Sequence, residues 1–225
     1  MKIIKSKKNI FAFLKTILPS NPIIIEAGSF KGKDTKRLSS NWPHGAMYAF
    51  EPVPEIFARL QQKTQKLKNI SCFQLALSNT TGKATFYVSE KSSKKEQPFP
   101  AGSLKKPKER LKWSDVTYPK TISVQTMTLD AWAAQNKIEH VDFLWLDVQG
   151  NAYEILQGAQ KLLPTIKAIW TEVEFIEAYE NQMQYEQLKE YLASKGFQEI
   201  AKDFEHQTEW FFGNVLFVKP KRKNQ

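Results

Sequence analysis

Residues 23–32, IIIEAGSFKG, constrain this chain more than any other stretch. Three isoleucines and Ala27 surround one acid, Glu26, and two glycines, Gly28 and Gly32, follow before a segment at 33–40 that reads as a helix. A second apolar run, 46–50, ends on Glu51 and Pro52. Short apolar runs separated by glycines and a helical segment indicate parallel strands joined by a crossover. The pattern predicts the start of a parallel α/β sheet with an acid at the carboxyl tip of its second strand. Ligands of such sheets bind outside the strands' carboxyl ends, where an acid can hold ribose hydroxyls.

The rest of the chain continues the alternation. Residues 54–67 read as a helix begun by Pro54, 70–77 as a third strand, and 83–89 as a strand that pairs back as a hairpin. Thr128 is placed to cap a helix running to about 135, and 141–146 is a strongly apolar strand ending on Asp147. A helix at 151–163, a strand at 168–175 and a helix at 185–194 follow, and then a final antiparallel pair at 197–203 and 210–218. Residues 1–18 read as an amphipathic helix that packs against the core. The expected organisation is that helix over 1–20, then one domain over 21–225.

Residues 90–119 interrupt the pattern. They contain Pro98, Pro100, Pro107 and Pro119, and the basic residues Lys91, Lys94, Lys95, Lys105, Lys106, Lys108, Arg110 and Lys112. A stretch this long without periodicity is expected to be a substrate-covering lid or a mobile insertion.

Composition matters mainly for what it excludes. The net charge of +10 favours acidic partners, yet no basic motif with interleaved aromatics is present, so nucleic acid is disfavoured. The single cysteine, Cys72, precludes an internal disulfide and a cysteine metal cluster, and is expected to be buried and inert. No apolar run reaches the ~18–20 residues of a membrane span and no small-residue cleavage site follows the N-terminus, so a cytoplasmic location is expected. Oligomeric state is not legible.

The polar residues at the strand ends gather the candidate chemistry: 26–32, Glu51, 76–79, 147–151 and 172–174 should line one edge. A dinucleotide's pyrophosphate needs a glycine where Phe30 stands. S-adenosylmethionine has no phosphates, carries a sulfonium cation and suits an acidic edge. A hydroxyl acceptor also needs a proton acceptor or a metal. Candidates for the base are Asp147, Glu172, Glu174 and His206, with Glu172 and Glu174 on one strand face and Val173 opposite. No metal-ligand spacing is present, so no metal is expected. Trp113, Tyr118, Tyr153, Phe175 and Tyr179 are candidates for stacking on a sugar.

From about 22 to 218 the sequence resembles the FkbM-type methyltransferases. The resemblance rests on IEAG at 25–28 with Gly32, YAFEP at 48–52, LALS at 75–78, TLD at 128–130, FLWLDVQG at 143–150 and FGNVLF at 212–217. It implies a class I, Rossmann-like α/β fold with a seven-stranded, mostly parallel sheet, helices on both faces and an antiparallel last strand. It also implies S-adenosylmethionine as donor and a saccharide or small-molecule hydroxyl as acceptor. Carried over by position, Glu26, Gly28, Ser29 and Gly32 form the first cofactor loop, and Glu51 with Pro52 binds the ribose. Ala76 and Leu77 flank the adenine, and Asp147 lies at the cofactor–substrate junction. The family's Asp-x-Glu-Gly pattern is broken here by Gln149. Two rivals carry different expectations: a nucleotide-dependent oxidoreductase on a similar sheet, and a non-catalytic module binding anionic polymers through its lysines.

Overall fold

The structure, a computed structural model, describes residues 2–3, 7–113, 115–204 and 211–220. Its first half runs β1 (Lys2–Ile3), α1 (Lys7–Ile17), β2 (Ile23–Ala27), α2 (Lys33–Asn41), β3 (Ala46–Phe50), α3 (Pro54–Thr64), β4 (Ile70–Phe73), β5 (Ala76–Leu77) and β6 (Gly82–Lys91). Then come β7 (Lys94–Pro98), α4 (Arg110–Trp113), β8 (Val116–Met127), α5 (Leu129–Gln135), β9 (Phe143–Leu146), α6 (Ala152–Gln157), β10 (Ala168–Glu174), α7 (Tyr185–Ser194), β11 (Gln198–Lys202) and β12 (Phe212–Val218).

The main sheet has the order β1-β11-β12-β10-β9-β2-β3-β4. Strands β4, β3, β2, β9 and β10 are parallel, and β12 runs antiparallel to both β10 and β11. This is the seven-stranded, mostly parallel sheet with an antiparallel last strand, extended by the two-residue edge strand β1. It is a class I methyltransferase fold.

Both faces of the central strands are buried, which is why they read as continuous apolar runs rather than alternating ones. Ile25, Ala27, Leu144, Leu146, Ile169 and Val173 face the core under α5, α6 and α7. Ile24, Phe143, Trp145, Trp170 and Leu216 face a second core that includes Ile10, Phe11, Leu14 and Leu18 of the N-terminal segment and Leu38 of α2. The apolar residues of α1 recur at helical spacing, so one face docks on the sheet.

Three elements differ from the sequence pattern. The strand expected at 70–77 splits. Ile70–Phe73 stays in the main sheet, while Ala76–Leu77 crosses to pair in parallel with Thr126 and Met127 of β8. The helix expected at 151–163 ends at Gln157 and continues as turns. Residues 90–119 are not an irregular loop: β6 runs to Lys91, β7 pairs with it, and β8 begins at Val116. These strands form a second sheet of order β5-β8-β6-β7. Its apolar residues Phe86, Val88 and Val124 pack on Val53, Ile56 and Ala76. Long-range antiparallel pairing, invisible to local periodicity, orders the segment.

The lysines of that segment are largely tethered. Lys105 pairs with Glu154 at 2.7 Å, Lys106 with Glu180 at 2.8 Å, Lys108 with Glu177 at 2.5 Å and Lys112 with Glu109 at 2.8 Å. Backbone bonds from Lys108 and Arg110 to the Ala178 carbonyl (2.8 and 3.2 Å) and from Glu180 to the Lys106 carbonyl (2.8 Å) zip it to the 177–180 stretch. The binding module for anionic polymers is disfavoured accordingly. Cys72 is half-buried, 3.4 Å from the Thr64 hydroxyl, and burial raises its thiol pKa. No helix among the described residues is long and apolar enough to cross a membrane.

Candidate functional site

The parallel register brings the candidate residues to one edge. Ala27 pairs with both Phe50 and Leu146, so Gly28, Glu51 and Asp147 emerge side by side from β2, β3 and β9. Thr171 pairs with Leu146, so Glu172 comes next to Asp147. A cavity opens along this edge. Its sheet-side wall includes Gly28, Phe30, Glu51, Pro52, Asp147 and Gln149, and the second sheet and its loops add Phe86, Val88, Phe99 and Leu104. The space between these walls, its open mouth included, is ≈ 720 Å³.

Glycine is required at the first turn. Gly28 has φ 82°, and a Cβ there would lie 1.8 Å from the Asp147 carbonyl oxygen. The tips of β2 and β9 can approach this closely only without a side chain. Gly32, φ 76°, turns the chain into α2, and a Cβ there would meet Leu60 at 2.8 Å. Its role is helix packing, and it does not line the cavity.

Glu51 is 5% exposed. Its two carboxylate oxygens accept the N–H of Phe30 at 3.0 Å and of Val53 at 2.9 Å. It therefore both organises the glycine turn and caps the start of α3. Each oxygen retains an acceptor position, which suits a pair of ribose hydroxyls. Burial raises its pKa to about 7, against the two backbone bonds. Phe30 adopts φ 45° and its side chain lines the cavity where a pyrophosphate would need open backbone. The oxidoreductase alternative is disfavoured.

Glu26 and Ser29 lie beneath the cavity rather than on its wall. Glu26 accepts the Thr35 hydroxyl at 2.5 Å, and burial raises its pKa to about 7. The Ser29 hydroxyl donates to the Glu26 carbonyl at 3.2 Å. Ala76 and Leu77 line the cavity beside Asn151, whose amide donates to the Leu77 carbonyl at 3.0 Å.

The acidic end holds Asp147, Glu172 and Glu174. Burial pushes the pKa of Glu172 well up, reinforced by Asp147 and Glu174 and opposed by Arg110 and the Gln149 amide. Burial likewise raises Glu174 to about 7, against Arg110. Glu172 is partly buried and Glu174 fully so, with one Glu174 carboxyl oxygen lacking a hydrogen-bond partner among the described residues, and neither lines the cavity. Arg110, from the basic segment, stacks over the Phe212 ring at 5.3 Å. Among the described residues no group of three or more His, Cys, Asp or Glu side chains is arranged to hold a metal ion.

The aromatic candidates separate. Tyr179 is fully buried and hydrogen-bonds Gln149 at 2.9 Å and Tyr118 at 3.2 Å. Tyr153 packs on Tyr191 at 5.0 Å and Phe175 on Phe204 at 4.7 Å, so both serve packing. His206 lies outside the described residues, and nothing is described of the Trp113 side chain. Gln149, Tyr179 and Arg110 each stand out in the sequence for other reasons, but no spacing marks the Gln149–Tyr179 bond or the approach of Arg110 to the acids. Only the inward fold of the 90–119 segment brings Arg110 to the acids.

Residues 5–199 match the family described as Methyltransferase FkbM domain. The chain is 30% identical over 164 residues to the 2-O-methyltransferase NoeI of Sinorhizobium fredii (strain NBRC 101917 / NGR234), covering 72% of this chain and 68% of that protein. The crystal structure of Methyltransferase FkbM from Methylobacillus flagellatus KT aligns with TM-score 0.55 and 11% identity over 92% of this chain and 50% of that one. Magnesium protoporphyrin IX methyltransferase (ChlM) from Synechocystis PCC 6803, solved with bound S-adenosylmethionine, aligns with TM-score 0.51 and 12% identity over 95% and 77%.

Proposed function

Since this chain belongs to the FkbM methyltransferase family and is an S-adenosylmethionine-dependent methyltransferase, we propose that it methylates a hydroxyl oxygen of a saccharide or other small molecule in the cytoplasm. The observation that carries the reading is that Glu51, a ribose-type acid, and Asp147 line one cavity, with Glu172 joined to Asp147 through the Gln149 amide just off its wall. The 2-O specificity in the name of the NoeI relative supports an oxygen acceptor.

The residues present fit the donor. Gly28 leaves room at the strand tips that a Cβ would fill, and the apolar wall of Phe30, Ile56, Leu77 and Val88 suits a purine. When bound, the donor supplies an electrophilic methyl group on a positively charged sulfur. In this reading Glu51 accepts hydrogen bonds from the ribose. Glu26, Ser29 and Gly32 shape the first loop from below, Pro52 borders the ribose side, and Ala76 and Leu77 flank the base. Asp147 stands between donor and acceptor. Glu172, partly buried, bonded to the Gln149 amide beside Asp147 and with a raised pKa, takes the hydroxyl proton, and Glu174 tunes it from behind. Most of the acceleration is positional: one cavity holds the hydroxyl and the methyl carbon in line.

Calorimetry with S-adenosylhomocysteine tests the donor half. Binding to the wild type is expected, and Glu51→Ala should weaken it by about tenfold or more, the value of a charge-assisted hydrogen-bond pair. Absence of binding to the wild type overturns the reading. Transfer of a labelled methyl group to a panel of hydroxyl-bearing oligosaccharides tests the acceptor class.

A further inference from the structure

The chain departs from its family at Gln149, and the structure gives that residue a specific task. Its Nε2 donates to Asp147 Oδ1 at 2.9 Å and to Glu172 Oε1 at 2.7 Å. Its Oε1 accepts the Tyr179 hydroxyl at 2.9 Å. A carboxamide has two N–H hydrogens, and both are used on acids. Turning the amide over would aim its oxygen at two carboxylates, so their charge sets its orientation. Tyr179 reinforces it from the other side. The Tyr179 hydroxyl has two acceptors, Gln149 Oε1 at 2.9 Å and the Ala101 carbonyl at 3.1 Å, and the shorter bond is to Gln149, while Tyr118 also donates to the Ala101 carbonyl at 3.0 Å.

The backbone is committed to the same end. Gln149 holds φ 50°, a left-handed conformation that costs a non-glycine residue, and the Ser103 hydroxyl anchors its carbonyl at 2.7 Å. The residue is 5% exposed and lies on the cavity wall. An ionised glutamate here would add a third negative charge and donate to neither acid, and a protonated one could donate to only one of them.

The geometry points to Gln149 as the positioning residue of the acceptor half: a neutral amide that holds the carboxyl groups of Asp147 and Glu172 side by side, one N–H on each. The inference rests on the methyl-transfer reading for its purpose, but the clamp itself can be measured without an acceptor. The groups facing it are Asp147 beyond β9, Glu172 and Glu174 of β10, Arg110 of α4, Tyr118 of β8 and Tyr179. Hydrogen bonds to the ionised form lower a carboxyl's pKa, so removing both N–H donors should raise Asp147 and Glu172 together.

The test is a carboxyl carbon-13 NMR titration of the full chain from pH 5 to 10. In Gln149→Met the midpoint of Glu172 should rise by about one pH unit or more, with Asp147 moving the same way and Glu51 unmoved as the internal control. Unchanged Glu172 and Asp147 midpoints overturn the proposal. If Gln149→Met does not fold, Tyr179→Phe decides. It removes the hydroxyl on the amide oxygen, and the Glu172 midpoint should rise by roughly half a unit. A shift supports the clamp, and no shift overturns it. In methyl transfer, Gln149→Met should lower kcat at least tenfold and move the acid limb of the pH profile upward, while Gln149→Glu should not rescue it. Failure of the wild type to bind S-adenosylhomocysteine would sink the methyl-transfer reading alone. Unmoved carboxyl midpoints would sink the clamp alone.

Discussion

Glu26 offers a quantitative test of how this fold tolerates a buried acid. It is 1% exposed and lies under the glycine turn, with the Thr35 hydroxyl 2.5 Å from its carboxylate. Burial is the main reason its pKa stands at about 7 rather than 4.5, and Asp34 and Asp147 add to it. A shift of roughly 2.5 units corresponds to about 3 kcal/mol. The sign follows from proton binding. Below pH 4.5 the group is protonated both folded and unfolded, and it costs nothing. Between pH 4.5 and 7 the folded protein keeps a proton that the unfolded chain releases, so stability falls as pH rises. Above pH 7 the whole cost is present. Urea unfolding of wild type at pH 5 and pH 8 should therefore show a decline to which Glu26 alone contributes about 2–3 kcal/mol. Glu26→Gln, which stays neutral and still accepts the Thr35 hydroxyl, should flatten the decline by that amount. The variant should also be more stable than wild type at pH 8. Stability curves that run parallel for the two proteins would refute the argument that Glu26 is buried and uncompensated.

Two further outcomes follow from single contacts. Gly28→Ala places a Cβ 1.8 Å from the Asp147 carbonyl in a left-handed conformation. It should cost more than the ~1–2 kcal/mol of that conformation alone and abolish S-adenosylhomocysteine binding in calorimetry, and retained affinity would contradict the close approach. Lys105→Met strips the partner from Glu154, whose side chain is only 17% exposed. It should destabilise by about 1 kcal/mol in urea unfolding, and Glu154→Gln in the same chain should recover most of the loss, because the cost lies in the unpaired, partly buried charge.

Much of the site was legible because it depends on local rules. Apolar runs had to be strands buried on both faces, and the acids at their ends had to share an edge. Glu51, Asp147 and Glu172 meet there because parallel register advances each strand by the same step. The finer assignments depend on which face a residue leaves by. Gly32 belongs to the packing of α2 on α3 and Glu26 to the layer beneath the cavity, and only the three-dimensional path of the turn separates them from Gly28. The 90–119 segment was the least legible. Its order comes from pairing with strands distant in sequence and from Lys–Glu contacts to 154 and 177–180, and neither leaves a period in the residues themselves.

By itself, the sequence determined the alternation of strands and helices, the glycine turn at 28–32, the acid after β3 and the absence of a dinucleotide fingerprint at Phe30. These are properties of neighbouring residues, set by backbone freedom and hydrophobic period. Only the tertiary structure decided that the second sheet walls the cavity, that Arg110 reaches the buried acids and that the Gln149 amide joins Asp147 to Glu172 under Tyr179. Apart from the Gln149–Asp147 bond, those depend on hydrogen bonds and charges between residues at least 23 positions apart, whose strength is set by burial, and burial exists only once the chain has folded.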